Sequence, residues 1–211
     1  MTHMGYALPR YYFLLPACFD LAQSKQYLHV MTTQTLAARG TAASLDTLED
    51  LVGHEDCSVE QLCGEMAKVF RVRGQEVALL RVDRLMLKFL YPAELRSAGA
   101  IPLSSSAIAA RTANNRRADY FNNFASVQHS SVFESVKFAV SDIPNSEMDP
   151  QVIQKIMTVP VFGGGNRVAG VIQVSRKGFD LNSAGPDFTP DDLELLKQIA
   201  KVVGVFLSRN V

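Results

Sequence analysis

The sequence predicts an α+β fold, on three observations. Two pairs of short apolar, β-compatible runs are each joined by a turn: Val77–Val82 with Met86–Tyr91, and Ile156–Phe162 with Val168–Val174. A helix with a capping signal at Ser58 precedes the first pair. Another, opened by Phe188-Thr189-Pro190-Asp191-Asp192, follows the second. Hairpins with helices toward the two ends of the chain make a sheet with helical cover.

Residues 1–43 read as an N-terminal extension, partly helical, and residues 44–211 as the folded domain. Residues 1–19 are aromatic and punctuated by proline, with no clear period. Leu21, Leu28, Met31 and Leu36 are compatible with a helix over 20–38 that Gly40 breaks. Ser44 then precedes Leu45, Leu48, Leu51 and Val52, a short amphipathic helix ending at Gly53.

Ser58 and Gln61 have capping-box spacing, in which each side chain satisfies a free backbone N–H at the helix start. Val59, Leu62, Cys63, Met66, Val69 and Phe70 recur at helical spacing, and Gly74 is expected to end the segment. The first hairpin turns at Asp83-Arg84, and Pro92 and Gly99 mark the loop after it. Ser104-Ser105-Ser106 offers an N-cap for a short helix through about Thr112.

Asn114 to Pro150 is the least periodic stretch. A long irregular segment inside a compact domain is often functional, which makes it the expected ligand cover. Gly163-Gly164-Gly165-Asn166 supplies the positive φ angles of the second hairpin turn. Pro160 lacks an N–H, so it implies an edge, a bulge or a strand end.

In the last helix Thr189 is the expected N-cap and Pro190 the first residue, with Asp191 and Asp192 at the positive end of the dipole. Leu193, Leu196, Ala200, Val203 and Leu207 form one apolar stripe; Leu195, Ile199, Val202 and Phe206 form a second. One stripe suffices to cover a sheet. The second is expected to pack on another helix of the chain or on a partner, which motivates the expectation of a homodimer through the terminal helices.

Composition narrows the function classes. The 211 residues carry 21 Lys+Arg and 21 Asp+Glu, so zero net charge leaves no electrostatic footprint for nucleic acid or an anionic membrane. No apolar run approaches the roughly 20 residues that span a bilayer. Tyr11–Leu15, broken by Pro16 and preceded only by Arg10, is too short for a signal core, although Leu15-Pro16-Ala17-Cys18 faintly resembles a lipoprotein cleavage site. A start at Met31 would make residues 1–30 an upstream extension. The expected location is cytoplasmic.

Cys18, Cys57 and Cys63 are odd in number and lack C-x-x-C spacing, which argues against a disulfide framework or a zinc site. Cys57 and Cys63 are close enough in sequence for a redox pair, but Cys63 lies on the apolar helix face, as an idle thiol would.

From Ser44 onward the chain resembles a GAF domain, over roughly residues 44–210. The features that carry the resemblance are the Ser58 helix, the Val77–Tyr91 hairpin, and Ile101-Pro102-Leu103-Ser104 leading into a small-residue helix. To these are added Val159-Pro160-Val161, Gly170-Val171-Ile172-Gln173-Val174 and Phe188-Thr189-Pro190-Asp191-Asp192. The resemblance implies a central, mainly antiparallel sheet with helices on both faces. The N- and C-terminal helices pack together on one face, and a ligand pocket lies under loops and short helices on the other.

Specialised members of the family carry further signatures. The cyclic-nucleotide binders have Asn-Lys-Phe with a downstream Asp-Glu, whereas Val136-Lys137-Phe138 lacks the Asn and Ser141-Asp142 lacks the acidic pair. The bilin binders follow Asp-Ile-Pro with Cys-His; Asp142-Ile143-Pro144 is present, but no cysteine follows Cys63. The free methionine sulfoxide reductases use cysteines in the pocket half, where this chain has none.

Other chemistry has a plainer account beside each candidate. His3, His29, His54 and His129 lack the H-x-x-x-H spacing of a helical metal site, and His129 reads first as a solvated or hydrogen-bonded loop histidine rather than a ligand. The serine run lacks a nucleophile setting, while the free N–H groups after it suit an anionic ligand. The Gly163–Gly165 run lacks the Gly-Lys-Ser/Thr ending of a phosphate loop. Arg116-Arg117 with Tyr120, Phe121 and Phe124 either stacks on a planar or anionic ligand or forms a short amphipathic helix over the sheet.

The expected function is a non-enzymatic sensory or regulatory domain that binds a small molecule. Ser105, Arg117, Tyr120, Phe121, Asn122, His129 and Lys137 are the candidate ligand residues. No cofactor or metal is assigned, and no nucleic acid or membrane is expected as a partner. With residues 1–43 too few for an output domain, a separate partner protein is expected to receive the signal. Two alternatives remain: a ligand-free fold used for dimerisation or docking, its pocket filled by Phe121, Phe124 and Phe133, and a thiol redox sensor or enzyme.

Overall fold

The computed structural model describes residues 43–97, 99–124 and 152–209. Helix α1 covers residues 43–53. It is followed by α2 (Val59–Phe70), β1 (Val77–Asp83), β2 (Met86–Tyr91), β3 (Ala100–Pro102), α3 (Ile108–Asn115), β4 (Asp119–Phe121), β5 (Val152–Phe162), β6 (Val168–Gly178) and α4 (Pro190–Arg209). Among the described residues the strands form one antiparallel sheet in the order β3-β2-β1-β6-β5-β4.

The capping signals act where expected. Gln61 N donates to Ser58 Oγ at 3.1 Å, and Ser58 N donates to Gln61 Oε1 at 3.0 Å. Asp192 N donates to Thr189 Oγ1 at 3.1 Å, and Thr189 N donates to Asp192 Oδ2 at 2.8 Å, the same reciprocal closure at the head of α4. Both helices thereby start with their free N–H groups partly satisfied.

Three expectations are corrected. Helix α2 stops before Gly74: Arg71 takes the left-handed cap at φ 52°, and the N–H groups of Arg71 and Val72 close on Lys68 and Ala67. No serine caps α3. Ala107 occupies the cap position without a side-chain bond, because the serine run lies in the preceding turn, where Ser105 N donates to Pro102 O. The segment after α3 is not a covering helix. Arg116 ends α3 at φ 55°, and Asp119–Phe121 join the ladder opposite Thr158, Met157 and Ile156.

The second hairpin is longer than the sequence predicts, with eleven residues in each strand. Its turn places Gly165 at φ 71° and Asn166 at φ 59°. Pro160 pairs with Val171 of β6, while β4 reaches only Thr158. Among the described residues no strand pairs with β5 beyond Thr158 on that side, which is where a residue without an N–H is tolerated.

Alternation along the strands divides the core. Val77, Leu79, Met157, Val159, Val161, Ile172 and Val174 pack with Leu48 and Val52 of α1, five residues of α2, Phe188, and the buried side of α4. Their neighbours Ala78, Leu80, Leu87, Phe89 and Val171 pack on the opposite face with Ile101, Ala107, Ala109, Ala110 and Ala113. One sheet thus carries three helices on one face and α3 on the other. Arg209 Nη1 donates to Val52 O at 2.6 Å, tying the end of α4 to α1.

Both stripes of α4 are used within the chain. Ile199, Val202 and Phe206 of the second stripe are buried in the helical-face core beside Leu196, Ala200 and Val203. The outward residues Glu194, Lys197 and Lys201 are exposed and polar, with Val205 the apolar exception. Among the described residues no helix is long and apolar enough to cross a membrane.

Candidate functional site

The α3 face of the sheet carries two buried uncharged polar side chains, Gln173 and Thr158. Register places Ala78, Gln173 and Thr158 side by side on β1, β6 and β5, with Asp119 of β4 next in line. Thr112 of α3 lies over this row: its Oγ1 is 2.9 Å from Thr158 Oγ1 and also donates to Ile108 O. Thr158 is 1% and Gln173 3% exposed. Among the described residues Gln173 Oε1 is buried without a hydrogen-bond partner, as is Ser105 Oγ in the turn before α3. A buried acceptor left open in a native fold calls for an explanation, since its desolvation is uncompensated.

Next to the row, Phe124 (2% exposed) packs with Ile108 of α3 and Ile156 of β5, with Phe121 and Ile153 at its margin. This arrangement of hydroxyls, an amide and aliphatic or aromatic surface can bind through hydrogen bonds and apolar contact. It offers no nucleophile paired with a base.

The structure separates most of the expected ligand residues. Phe121 lies on the α3 face with Phe124. Tyr120, one residue earlier, packs on the helical face, so the two do not line one cavity. Arg117 is exposed in the turn before β4. Ser105 keeps a buried hydroxyl but caps no helix. Asn122 is occupied: its Nδ2 donates to Phe188 O at 2.9 Å, and its Oδ1 accepts from Phe188 N at 2.8 Å. His129 and Lys137 lie outside the described residues, as do Phe133 and the Asp142-Ile143-Pro144 turn. Arg116, named beside Arg117, ties the end of α3 to the β5–β6 turn by donating to Asn166 O at 2.7 Å, with its guanidinium over Phe162.

Sequence reading missed Thr112, Thr158 and Gln173. Thr158 and Gln173 sit inside apolar runs whose two faces are both buried, so no alternation marks them. Only the register shows that they are neighbours.

The thiols offer no reactive centre among the described residues. Cys57 and Cys63 are free. Burial, with help from Glu60, pushes the Cys63 thiol far above its ordinary range, and burial also raises Cys57. No cluster of potential metal ligands occurs among the described residues. A depression of about 550 Å³ at the β1–β2 turn is lined by Asp83, Arg84, Leu85, Met86 and Lys88; it opens to solvent and is spanned by the Lys88–Asp83 ion pair.

A sheet in this order, with terminal helices on one face and a short small-residue helix over the other, fits the family that the sequence resembles. A family model described as a GAF domain matches residues 56–208, well over half of the chain. The chain belongs to the GAF domain family. No curated protein matches it.

Solved GAF domains share the fold at low identity. The nlh2 GAF domain of A. aeolicus, in an inactive state, superposes with TM-score 0.55 at 16% identity, covering 83% of this chain and 99% of that one. The GAF domain of an Acinetobacter phosphoenolpyruvate-protein phosphotransferase gives 0.53 at 16%, covering 78% and 92%. The free methionine-R-sulfoxide reductase of Neisseria meningitidis, in complex with its substrate, gives 0.55 at 17%, covering 81% and 90%. At these identities the likeness carries the fold alone.

Proposed function

We propose that this GAF domain is a non-enzymatic, cytoplasmic sensory or regulatory module. It binds a small molecule on the α3 face of its sheet and signals through a homodimer or a separate partner protein. The observation that carries this reading is Gln173 Oε1, buried beside the Thr112–Thr158 pair and without a hydrogen-bond partner among the described residues. A ligand N–H or O–H directed at that oxygen would complete its hydrogen bonding. The absence of an activated thiol at Cys57 and Cys63 supports a binding role over thiol chemistry.

Native mass spectrometry of freshly purified protein tests the reading. The expected spectrum is a dimer carrying a small-molecule mass that is lost on denaturation, and a Gln173→Leu variant that retains less of it. A bare polypeptide mass, together with no thermal shift from a metabolite panel, would remove the ligand.

One observation favours a second reading. Phe124 already fills part of the α3 face with the chain's own side chain, and Phe121 lies beside it. A ligand-free GAF fold that serves dimerisation or docking has a face filled in this way. In that case the protein shows a dimer or a captured partner and no small-molecule mass.

A further inference from the structure

We infer that Asn122 is the joint through which the α3 face of the sheet is coupled to the start of α4. The coupling goes beyond the ligand reading and stands whether or not that reading holds.

The geometry is a two-point grip. Asn122 donates to Phe188 O and accepts from Phe188 N, at 2.9 and 2.8 Å, so one side chain satisfies both backbone groups of a residue far away in sequence. Phe188 is 2% exposed, belongs to the helical-face core, and has the Arg176 guanidinium 4.8 Å from its ring centroid. The next residue, Thr189, is the cap of α4. Whatever moves Phe188 therefore moves the closure of the helix.

The residues flanking Asn122 are tied to the other face. Phe121, immediately before it, and Phe124, shortly after it, pack in the α3-side cluster with Ile108 and Ile156. Tyr120 and Asn122 instead turn to the helical face. Within a few residues the chain thus touches both cores, and Asn122 grips the residue before the α4 cap.

A second tie shares the same design. On β5, Ile156 packs with Phe124, while the preceding Lys155 donates to Gly185 O at 2.6 Å and pairs with Asp187 at 2.7 Å. Lys155 of β5 and Asn122, just past the end of β4, therefore both hold the 185–188 stretch. A change in the packing of Phe124 has a direct covalent and hydrogen-bonded route to the head of α4.

Hydrogen exchange of the 211-residue chain tests the coupling by a double-mutant cycle. The perturbation is Phe124→Leu, and the readout is peptides from residues 189–196, with residues 59–70 of α2 as the internal control. In the otherwise native chain, Phe124→Leu is expected to speed exchange at 189–196 by roughly fivefold, the scale of one or two weakened hydrogen bonds. The α2 control should stay within about twofold of its native rate. In the Asn122→Ala background the 189–196 peptides exchange faster from the outset, and Phe124→Leu should add less than about twofold. An equal increase in both backgrounds, or none in the native chain, overturns the proposal. Should Asn122→Ala fail to fold, Asn122→Asp serves: its carboxylate still accepts from Phe188 N but cannot donate to Phe188 O. Its response to Phe124→Leu must then fall below that of the native chain, and an undiminished response overturns the inference.

Discussion

Glu76 is 7% exposed, and its carboxylate accepts from Arg73 N and Arg73 Nη2, each at 2.8 Å, and from Lys177 N at 2.7 Å. Its backbone carbonyl accepts from Ser175 Oγ at 3.0 Å. One residue thus joins the turn after α2, the start of β1 and the end of β6. Burial alone would raise its pKa, but the bonds from Arg73 and Lys177 outweigh burial and hold it below the ordinary value. A carboxylate with a depressed folded pKa contributes stability above its unfolded pKa of about 4.3, and that stability is lost as the pH falls through the folded value. Glu76→Gln should therefore cost about 1–3 kcal/mol at pH 7, read by urea denaturation, since it weakens charge-assisted bonds at a buried site. It should also flatten the stability profile below about pH 4.3. A variant that loses stability with acid as steeply as the native chain would assign that dependence to other groups.

Among the elements, the approach of α4 to β5 is set by a residue without a side chain. A Cβ on Gly204 would collide with the Phe162 carbonyl oxygen, a backbone atom that cannot rotate away. Gly204→Ala raises helix propensity by about 1 kcal/mol, yet the clash forces the helix off the sheet at a cost of about 1–3 kcal/mol. The expected net result is a lower melting temperature by circular dichroism, despite the better helix former. A raised melting temperature would mean that the contact relaxes freely.

The elements also show what could be read in advance. Helices α2 and α4 were legible because Ser58/Gln61 and Thr189/Asp192 state their own starts, and the second hairpin because its turn chemistry lies in one tetrapeptide. Strand β4 was not legible. Three residues in an aperiodic, aromatic stretch become a strand only because Ile156–Thr158 offers them an open edge. The α3 cap was misread because three serines stood in the right place, whereas the turn positioned Ala107 there. The candidate site was hidden for a related reason. Thr112, Thr158 and Gln173 come from three separate elements, and their meeting is a property of register and of helix placement.

At the scale of the whole molecule, one sheet serves two cores. Met157 and Ile156 are consecutive on β5, yet the first packs under α2 and α4 and the second under α3. The same holds for Leu79 and Leu80 on β1. The three long central strands β1, β5 and β6 serve both cores, so losing the helical layer removes the support on which α3 lies. This predicts a single cooperative transition for the domain. Leu196, fully buried in α4, reports on the helical side: Leu196→Ala should cost about 2–5 kcal/mol. Thr158→Val reports on the other side, where it removes the bond to Thr112 at about 1 kcal/mol. If the sheet makes one unit of both cores, each variant lowers the same melt, followed by far-ultraviolet dichroism for the helices and by the fluorescence of a single tryptophan introduced on the α3 side by Phe121→Trp, the native chain having none. The two probes then remain superimposed in every variant. A Leu196→Ala melt that splits into two steps would instead mean that α3 and its strands stand without α4, and the route from Phe124 through Asn122 to Phe188 would then connect two separable halves.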